Sequence, residues 1–235
     1  MKKIILSAVM LAVATFGYAQ SEQTPVAGER NEWLPSFSSV DVRASLDITF
    51  ILVPDTQAPK IVYDTKGSYT TKFKAEVKDK VLHITERADA RRPERTSVTL
   101  YCNAVQKIAI ADAVATFDGV INATMLDLTI GGQATVKAAL DVKDLRMELT
   151  GRSSVTLSGT ARYLSLYVST GKVDASALEV MSAQVNALSS GVASLWITDR
   201  FEGTTSTKGK INYKGSPLIV RGEPKFMGGE ITHLP

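Results

Sequence analysis

Four short segments decide the fold of this chain: Leu126-Asp-Leu-Thr-Ile130, Leu145-Arg-Met-Glu-Leu149, Leu164-Ser-Leu-Tyr-Val168 and Ala183-Gln-Val-Asn-Ala187. Each segment alternates apolar with mostly polar residues, and each begins 19 residues after the one before it. Alternation with a period of two is typical of a β-strand that has one buried and one exposed face. The equal spacing indicates a repeat whose units bury their apolar faces against their neighbours.

A glycine-containing turn and a second short strand follow each of these segments. The turns contain Gly131-Gly132, Gly151, Gly171 and Gly191, with Gly209 continuing the series, and the second strands begin at Thr135, Ser154, Lys172, Ser194 and Lys210. Glycine suits such corners because it tolerates positive φ and close backbone approach. Stacked units would place Leu126, Leu145, Leu164 and Ala183 above one another, about 4.8 Å apart. The sequence therefore predicts an all-β fold, a parallel β-solenoid with coils of about 19 residues.

A helical interpretation fails because the apolar spacing is two and glycine interrupts every unit. An antiparallel meander closed into a sandwich or barrel remains the alternative, since short strands separated by turns also suit that fold. The regular coils are predicted for residues 105–217. The β-type runs in residues 36–104 are less regular, and they are either part of the same stack or separate from it.

The chain ends carry different signals. Met1-Lys2-Lys3, the apolar run Ile4 to Phe16 and the small residues up to Ala19 are typical of a cleaved export signal over residues 1–19. Residues 20–35 are polar and predict a flexible lead-in. Residues 218–235 contain glycine and proline and predict a tail or cap at one end of the stack.

Composition limits the compartment and the partners. Cys102 is the only cysteine, so an internal disulfide is impossible and the residue is expected to be a small buried apolar group. The net charge of +3 includes Lys2 and Lys3, so the mature chain has no dominant sign and no indication of nucleic-acid binding. No stretch after the export signal is long enough for a transmembrane helix, and none is expected in the mature chain.

The residues that catalysis would need are sparse. His83 lies in a predicted strand and His233 in the tail, and neither has the context of a metal site or a catalytic triad. Some β-helices cleave polysaccharides with charged residues along one strand face, and Arg146 and Glu148 are the only charged pair within one coil at the outward positions considered. Two charges two residues apart are explained by a solvated strand face. We therefore expect no catalytic residue, no metal site and no cofactor.

Outward aromatic residues are the best sequence indication of a binding surface, because rings contribute much of the energy of interfaces. Tyr167 has an outward position in its segment. Trp196 is assigned to the outward position held by Thr156 and Asp174 in other coils. Together with Arg146 and Glu148, these aromatic residues form the predicted binding surface for a glycan or a protein, although scattered exposed aromatics are also ordinary.

Several motifs carry a resemblance to a known family. They are Leu149-Thr-Gly-Arg-Ser-Ser-Val155, its echoes Ser169-Thr-Gly171 and Ser189-Ser-Gly-Val-Ala-Ser194, Gly209-Lys-Ile-Asn-Tyr-Lys-Gly-Ser-Pro217, and the early strands Leu46-Asp-Ile-Thr-Phe50 and Val81-Leu-His-Ile84. In order and spacing, the chain from about Phe37 to Pro217 resembles the putative auto-transporter adhesin, head GIN domain family. The resemblance implies one exported domain over residues 36–217, folded as a right-handed parallel β-helix. The turns at 131–133 and 150–153 depart from the commoner Ser-Gly-Ala-Ser pattern.

These observations favour a non-catalytic exported protein that presents a polar β-helix face for binding at the cell envelope or surface. The alternative is a periplasmic structural or sensory scaffold that forms homo-oligomers or binds an envelope partner. A polysaccharide-cleaving enzyme is a third and weaker hypothesis. The export signal is compatible with the periplasm, the outer surface or secretion.

Overall fold

A computed structural model of the chain describes residues 28–66, 72–87, 94–226 and 228–235. The predicted export signal and residues 20–27 of the predicted lead-in lie outside the described residues. Within these ranges the chain forms 16 strands of one sheet and no helix. The described residues therefore include no helix that could cross a membrane. The strands are β1 (Glu29–Trp33), β2 (Ser39–Arg43), β3 (Leu46–Leu52), β4 (Lys60–Asp64), β5 (Phe73–Lys78), β6 (Val81–Glu86), β7 (Thr96–Cys102), β8 (Lys107–Ala111), β9 (Val114–Gly131), β10 (Thr135–Leu149), β11 (Ser154–Ser169), β12 (Lys172–Leu188), β13 (Val192–Ser206), β14 (Lys210–Lys214), β15 (Ile219–Phe226) and β16 (Glu230–His233).

The repeating segments stack as the sequence predicts. Strands β9 to β13 pair in parallel, and the register aligns Leu126, Leu145, Leu164 and Ala183 in one column. All four side chains are at most 3% exposed. The result is a β-solenoid of about 6 turns with coils about 19 residues apart. The predicted all-β solenoid is confirmed, and the antiparallel meander is excluded because the neighbouring coils run in the same direction.

The less regular early strands belong to the same stack, but not in chain order. Strand β2 pairs in parallel with both β6 and β8, and β3 pairs in parallel with both β7 and β9. The first coil of the chain therefore lies between two coils that are synthesised after it. The buried Val40 is aligned with Leu82 on one side and with Ile108 on the other.

Antiparallel strands close the end of the stack that carries β6 and β7. Strand β5 pairs antiparallel with β6, β4 with β7, and β1 with β4. Tyr63 of β4 and Phe73 of β5 are buried, and their ring centroids lie 4.3 Å apart. Strand β1 falls within the predicted flexible lead-in, so that prediction is wrong for Glu29–Trp33. Every residue of β1 is exposed, and the strand is held by its backbone pairing with β4. Its sequence therefore lacks the alternation of apolar and polar residues from which a strand is predicted.

The predicted tail forms the last coil of the stack. Strand β15 pairs in parallel with β13, and β16 pairs in parallel with β14. Val220 continues the inward column above Phe201, yet it is 50% exposed because no described strand covers it. Residues 218–235 thus extend the solenoid and leave apolar side chains exposed at its end.

The corners between β8 and β14 share one backbone conformation. A positive φ of 63° to 72° recurs in six successive turns, at Asp112, Gly132, Gly151, Thr170, Ser190 and Lys208. Glycine supplies it at only two of them. At the later corners the glycine follows the left-handed residue and is needed for close packing, since a Cβ on Gly209 would lie 2.1 Å from the carbonyl oxygen of Ala187.

Cys102 is completely buried, as predicted for a small apolar residue. Burial raises the pKa of its thiol to about 12, so the thiolate that reactivity requires is not populated near neutral pH.

Candidate binding surface

Three of the four residues predicted to bind lie together on one outward strand face. Arg146 and Glu148 are exposed residues of β10, and Glu148 is aligned with Tyr167 of β11 in the next coil. Tyr167 is aligned in turn with Asn186 of β12. Adjacent strands of a sheet are about 4.8 Å apart, so these side chains form one continuous patch.

Trp196 lies apart from that patch. Trp196 lies in the first part of β13, which pairs with β14. Asn186, the neighbour of Tyr167, pairs with the later part of β13, and that part pairs with β15. The ring faces outward between the buried Leu195 and Ile197 but is half-buried, and the Lys214 ammonium lies 5.0 Å from its centroid.

The position assigned to Trp196 from the sequence is also wrong. The register places Ser194, and not Trp196, in the column of Thr156 and Asp174. The coil from Lys172 to Val192 has 20 residues, whereas the coil from Ser154 to Lys172 has 18. Equivalent positions therefore cannot be counted with one fixed spacing.

An open groove of about 720 Å³ crosses five strands beside the patch. It follows a second corner of each coil, which lies inside strands β9 to β13 just before the outward segment and is distinct from the turns between the strands. We call the residues aligned at this corner the corner column, and they are Met125, Asp144, Tyr163, Ser182 and Arg200. The groove is further lined by Asp127, Leu145, Arg146, Leu164, Ser165, Met181, Ala183, Gln184, Asp199 and Glu202.

Large apolar side chains are unusually accessible in this groove. Met125 is 54% exposed, Tyr163 is 45% exposed and Met181 is 38% exposed. Along the corner column the apolar Met125 and Tyr163 alternate with Asp144 and Ser182, and the charged Arg200 follows. The groove therefore combines apolar contact area with polar groups, as ligand sites commonly do.

Several charged groups in the groove have no partner among the described residues. Asp144, Arg146 and Asp199 form no ion pair or side-chain hydrogen bond there, and the buried Oδ1 of Asp127 has no hydrogen-bond donor. An unsatisfied buried acceptor is destabilising until a donor reaches it. These groups remain available to a ligand or to water.

The far end of the groove is held by an ion-pair network. The hydrogen bond from the Arg200 guanidinium lowers the pKa of Glu202 below its usual value, and Arg221 lies 3.6 Å from the same carboxylate oxygen. Arg200 is therefore less available to a ligand than Arg146.

A second open groove of about 490 Å³ lies on the other side of the corner and shares Met181 with the first. Lys143, Arg162 and Glu179 line it, and the Thr160 hydroxyl donates a 2.8 Å hydrogen bond to Asp141. Open grooves therefore lie on both sides of this corner.

The two histidines lie away from the groove. His83 Nδ1 is 3.4 Å from an Asp41 carboxylate oxygen in the early coils, and His233 Nε2 is 2.8 Å from the Gly215 carbonyl oxygen in the last coil. Among the described residues, no group of three or more His, Cys, Asp or Glu side chains is placed to hold a metal ion.

A comparison with protein families places this geometry in context. Residues 36–217 match the family model described as "Putative auto-transporter adhesin, head GIN domain". The chain belongs to this family. The resemblance seen in the turn motifs is confirmed, and the match ends at the residues expected from the sequence. No curated protein matches the chain.

Crystal structures of similar proteins support the fold of this head GIN domain. The chain is similar to a putative adhesin from Bacteroides fragilis, with a TM-score of 0.81 and 19% identity over 88% of this chain and 96% of that one. A protein from Parabacteroides distasonis named as a putative lipid binding protein gives a TM-score of 0.67 and 17% identity over the same shares. A putative adhesin from the latter species gives 0.66 and 16%, again over 88% and 96%. At such identities the likeness shows a shared fold alone.

Proposed function

We propose that the protein is a non-catalytic, exported binding protein of the cell envelope or surface, which presents the outward face of its solenoid to a glycan or protein ligand. The observation that carries this proposal is the groove beside the Arg146–Glu148–Tyr167 patch. It offers exposed Tyr163 and unpaired charged groups on a rigid stack of strands. A rigid scaffold favours binding because little ordering entropy is lost when the ligand docks.

The family description and the adhesin names of the structural neighbours agree with a binding role. The lipid-binding name of one neighbour is less suited to this chain, because the groove here is open and carries charged side chains. A lipid tail requires an enclosed apolar site, since its transfer from water depends on apolar contact.

The location of the protein can be tested before its ligand is known. The first measurement adds external protease to intact cells that produce the protein, with a periplasmic protein as the control. We expect the protein to be degraded while the control survives. Protection of both would place the protein in the periplasm and contradict surface exposure, and an uncleaved N-terminus on the purified protein, instead of one at Gln20, would contradict export.

The absence of catalysis is tested by incubating the protein with polysaccharides and measuring chain length. We expect no shortening by the wild type. Shortening that disappears in Glu148→Gln would make the protein an enzyme and overturn the non-catalytic proposal.

A scaffold that self-associates is a second candidate function, favoured by the exposed apolar side chains of the last coil. Leu218, which precedes the edge strand β15, is 85% exposed, and Ile219 and Val220 at the start of that strand are 42% and 50% exposed. Exposed strand edges tend to pair with other chains. A second copy stacked on this coil predicts an oligomer in sedimentation experiments that Leu218→Lys dissociates. A monomer at all accessible concentrations would exclude this function.

A further inference from the structure

We infer that the groove along the corner column binds a neutral glycan chain that lies along the axis of the stack. This inference rests on the proposed binding function and names the ligand class and the site. Neither the family description nor the names of the neighbours assigns a site to this groove.

The length of the groove suits a chain molecule. The corner column from Met125 to Arg200 has five positions in successive strands. Strands are about 4.8 Å apart, so the column spans about 19 Å. A ligand of one small ring would occupy only part of it, whereas an oligosaccharide could contact every coil.

The chemistry along the column matches a sugar chain. Each sugar ring has an apolar C–H face and a rim of hydroxyl groups. The exposed Tyr163 ring and the Met125 and Met181 side chains can pack against the C–H faces. Between them, the Asp144 carboxylate can accept hydrogen bonds from hydroxyls, and the Arg146 guanidinium can donate hydrogen bonds to hydroxyl oxygens.

The charge of the groove argues against acidic polymers. Four carboxylates, from Asp127, Asp144, Asp199 and Glu202, line it together with only two guanidiniums. One of those, Arg200, is already engaged by Glu202. A polyanion would meet net repulsion, so the ligand is a neutral glycan and its affinity should depend little on salt.

A protein partner fits this groove less well. The core of a protein interface is a contiguous patch depleted in charge. Here Met125 and Tyr163 are separated by the charged Asp144, and Tyr163 is followed in the column by Ser182. Single apolar side chains separated by polar groups match a sugar chain, in which the apolar faces of the rings are separated by hydroxyl groups.

The test is affinity electrophoresis of the mature chain in gels that contain dextran, glucomannan or galactan as neutral probes and alginate or polygalacturonate as acidic probes. Variants Tyr163→Ala and Asp144→Asn change the groove. Trp33→Ala is the matched control, because Trp33 is an exposed aromatic on β1, which ends the sheet order and contributes no residue to the groove. Far-UV circular dichroism establishes that each variant is folded.

We expect at least one neutral polysaccharide to retard the wild type. Tyr163→Ala should weaken that binding about tenfold, as expected for the loss of one ring contact. Asp144→Asn should weaken it as well, while Trp33→Ala should bind as the wild type does. Raising the salt from about 0.05 M to about 0.5 M should change the affinity less than about twofold, because no charged ligand groups are screened.

The inference is overturned if no neutral probe retards the protein, if the acidic probes alone retard it, or if Trp33→Ala loses as much binding as the groove variants. Unchanged neutral-glycan binding in both groove variants would move the site elsewhere and leave the proposed binding function standing. Capture of an envelope protein that Tyr163→Ala abolishes, without any polysaccharide binding, would make the groove a protein interface and likewise refute the glycan.

Discussion

The early and the later coils of this solenoid bury the same kind of inward column by different routes. From β9 to β14 the order of stacking is the order of the chain, and each coil covers the one before it. In the early part, β2 and β3 lie between strands that follow them in the chain. A repeat can therefore be recognised in a sequence only where units that follow each other in the chain are also neighbours in space.

The inward columns of the two parts are built from the same kinds of side chain, namely aliphatic residues and an aromatic pair in each part. In the early part Phe50 stacks on Phe117 with centroids 4.3 Å apart, at the point where β3 meets β9. In the later coils one inward column holds only aliphatic residues, namely Val136, Val155, Val173, Ala193 and Ile211. The same aliphatic column continues into the early part through Ala115, Ile48 and Val98. The later coils also hold a ring pair, because the centroids of Phe201 and Tyr213 lie 4.6 Å apart.

The largest expected effect breaks the contact that fixes the inserted coil. Phe50→Ala removes a fully buried ring and its stacking contact with Phe117, and should lower the free energy of unfolding by about 3–5 kcal/mol. The matched change in a later coil, Leu166→Ala, should cost about 2–4 kcal/mol. Urea unfolding curves give both values. A smaller loss for Phe50→Ala than for Leu166→Ala would show that the inserted coil contributes little to the stack.

The next effect tests the close packing of the later corners. Gly209→Ala would put a Cβ 2.1 Å from the Ala187 carbonyl oxygen, and should cost about 1–3 kcal/mol because backbone must move. Gly119→Ala is the control within strand β9, where φ is +98° but no atom lies within 4 Å of the new Cβ. It should cost about 1 kcal/mol from backbone strain alone. Equal thermal midpoints for the two variants would argue against close packing at the corner.

A smaller, stabilising effect is expected at the same corner. Lys208 has a φ of +66°, a conformation that disfavours any residue with a Cβ. Lys208→Gly should raise the free energy of unfolding by about 0.5 kcal/mol, because the relief of strain exceeds the added entropy of the unfolded glycine. Lys208→Ala keeps the Cβ and should leave stability unchanged. Stabilisation by alanine would mean that the lysine charge, and not φ, is the cause.

The smallest effect concerns pH and the last coil. The hydrogen bond from Lys210 lowers the pKa of Glu230 from 4.5, so the pair adds stability above the unfolded pKa and loses it as pH falls through the folded pKa. Glu230→Gln should therefore lower the thermal midpoint slightly at pH 7 and have no effect at a pH below both values. In a Lys210→Gln background the same change should have a smaller effect at pH 7, because only the Thr232 hydroxyl then donates to Glu230. A midpoint difference that persists in acid would contradict this pair as the cause.

The candidate binding surface can be predicted in part from the sequence. Strand alternation was sufficient to predict that Arg146, Glu148 and Tyr167 face outward, and equal spacing predicted that their coils are neighbours. Trp196 was misplaced because the coils vary between 18 and 20 residues, so the register cannot be counted from a fixed period.

The groove was missed altogether. Met125 and Tyr163 directly precede the alternating segments, at a corner where periodicity says nothing about exposure. The one available signal was an apolar residue recurring just before Leu126 and Leu164, where a wet corner should carry a polar side chain. Two such residues in one chain cannot be distinguished from the single exposed apolar residues that most protein surfaces carry.

The sequence by itself determined the stacked part of the protein. A strand with one apolar face must bury it, and units of equal length supply each other with the matching surface, so a parallel solenoid follows from local pattern and spacing. Only the tertiary structure decided that β2 and β3 enter between later coils and that antiparallel strands close one end. The contacts responsible, such as Val40 with Leu82 and Ile108, join residues far apart in the chain. No local pattern encodes such pairings, because their free energy is gained only when the distant strands meet.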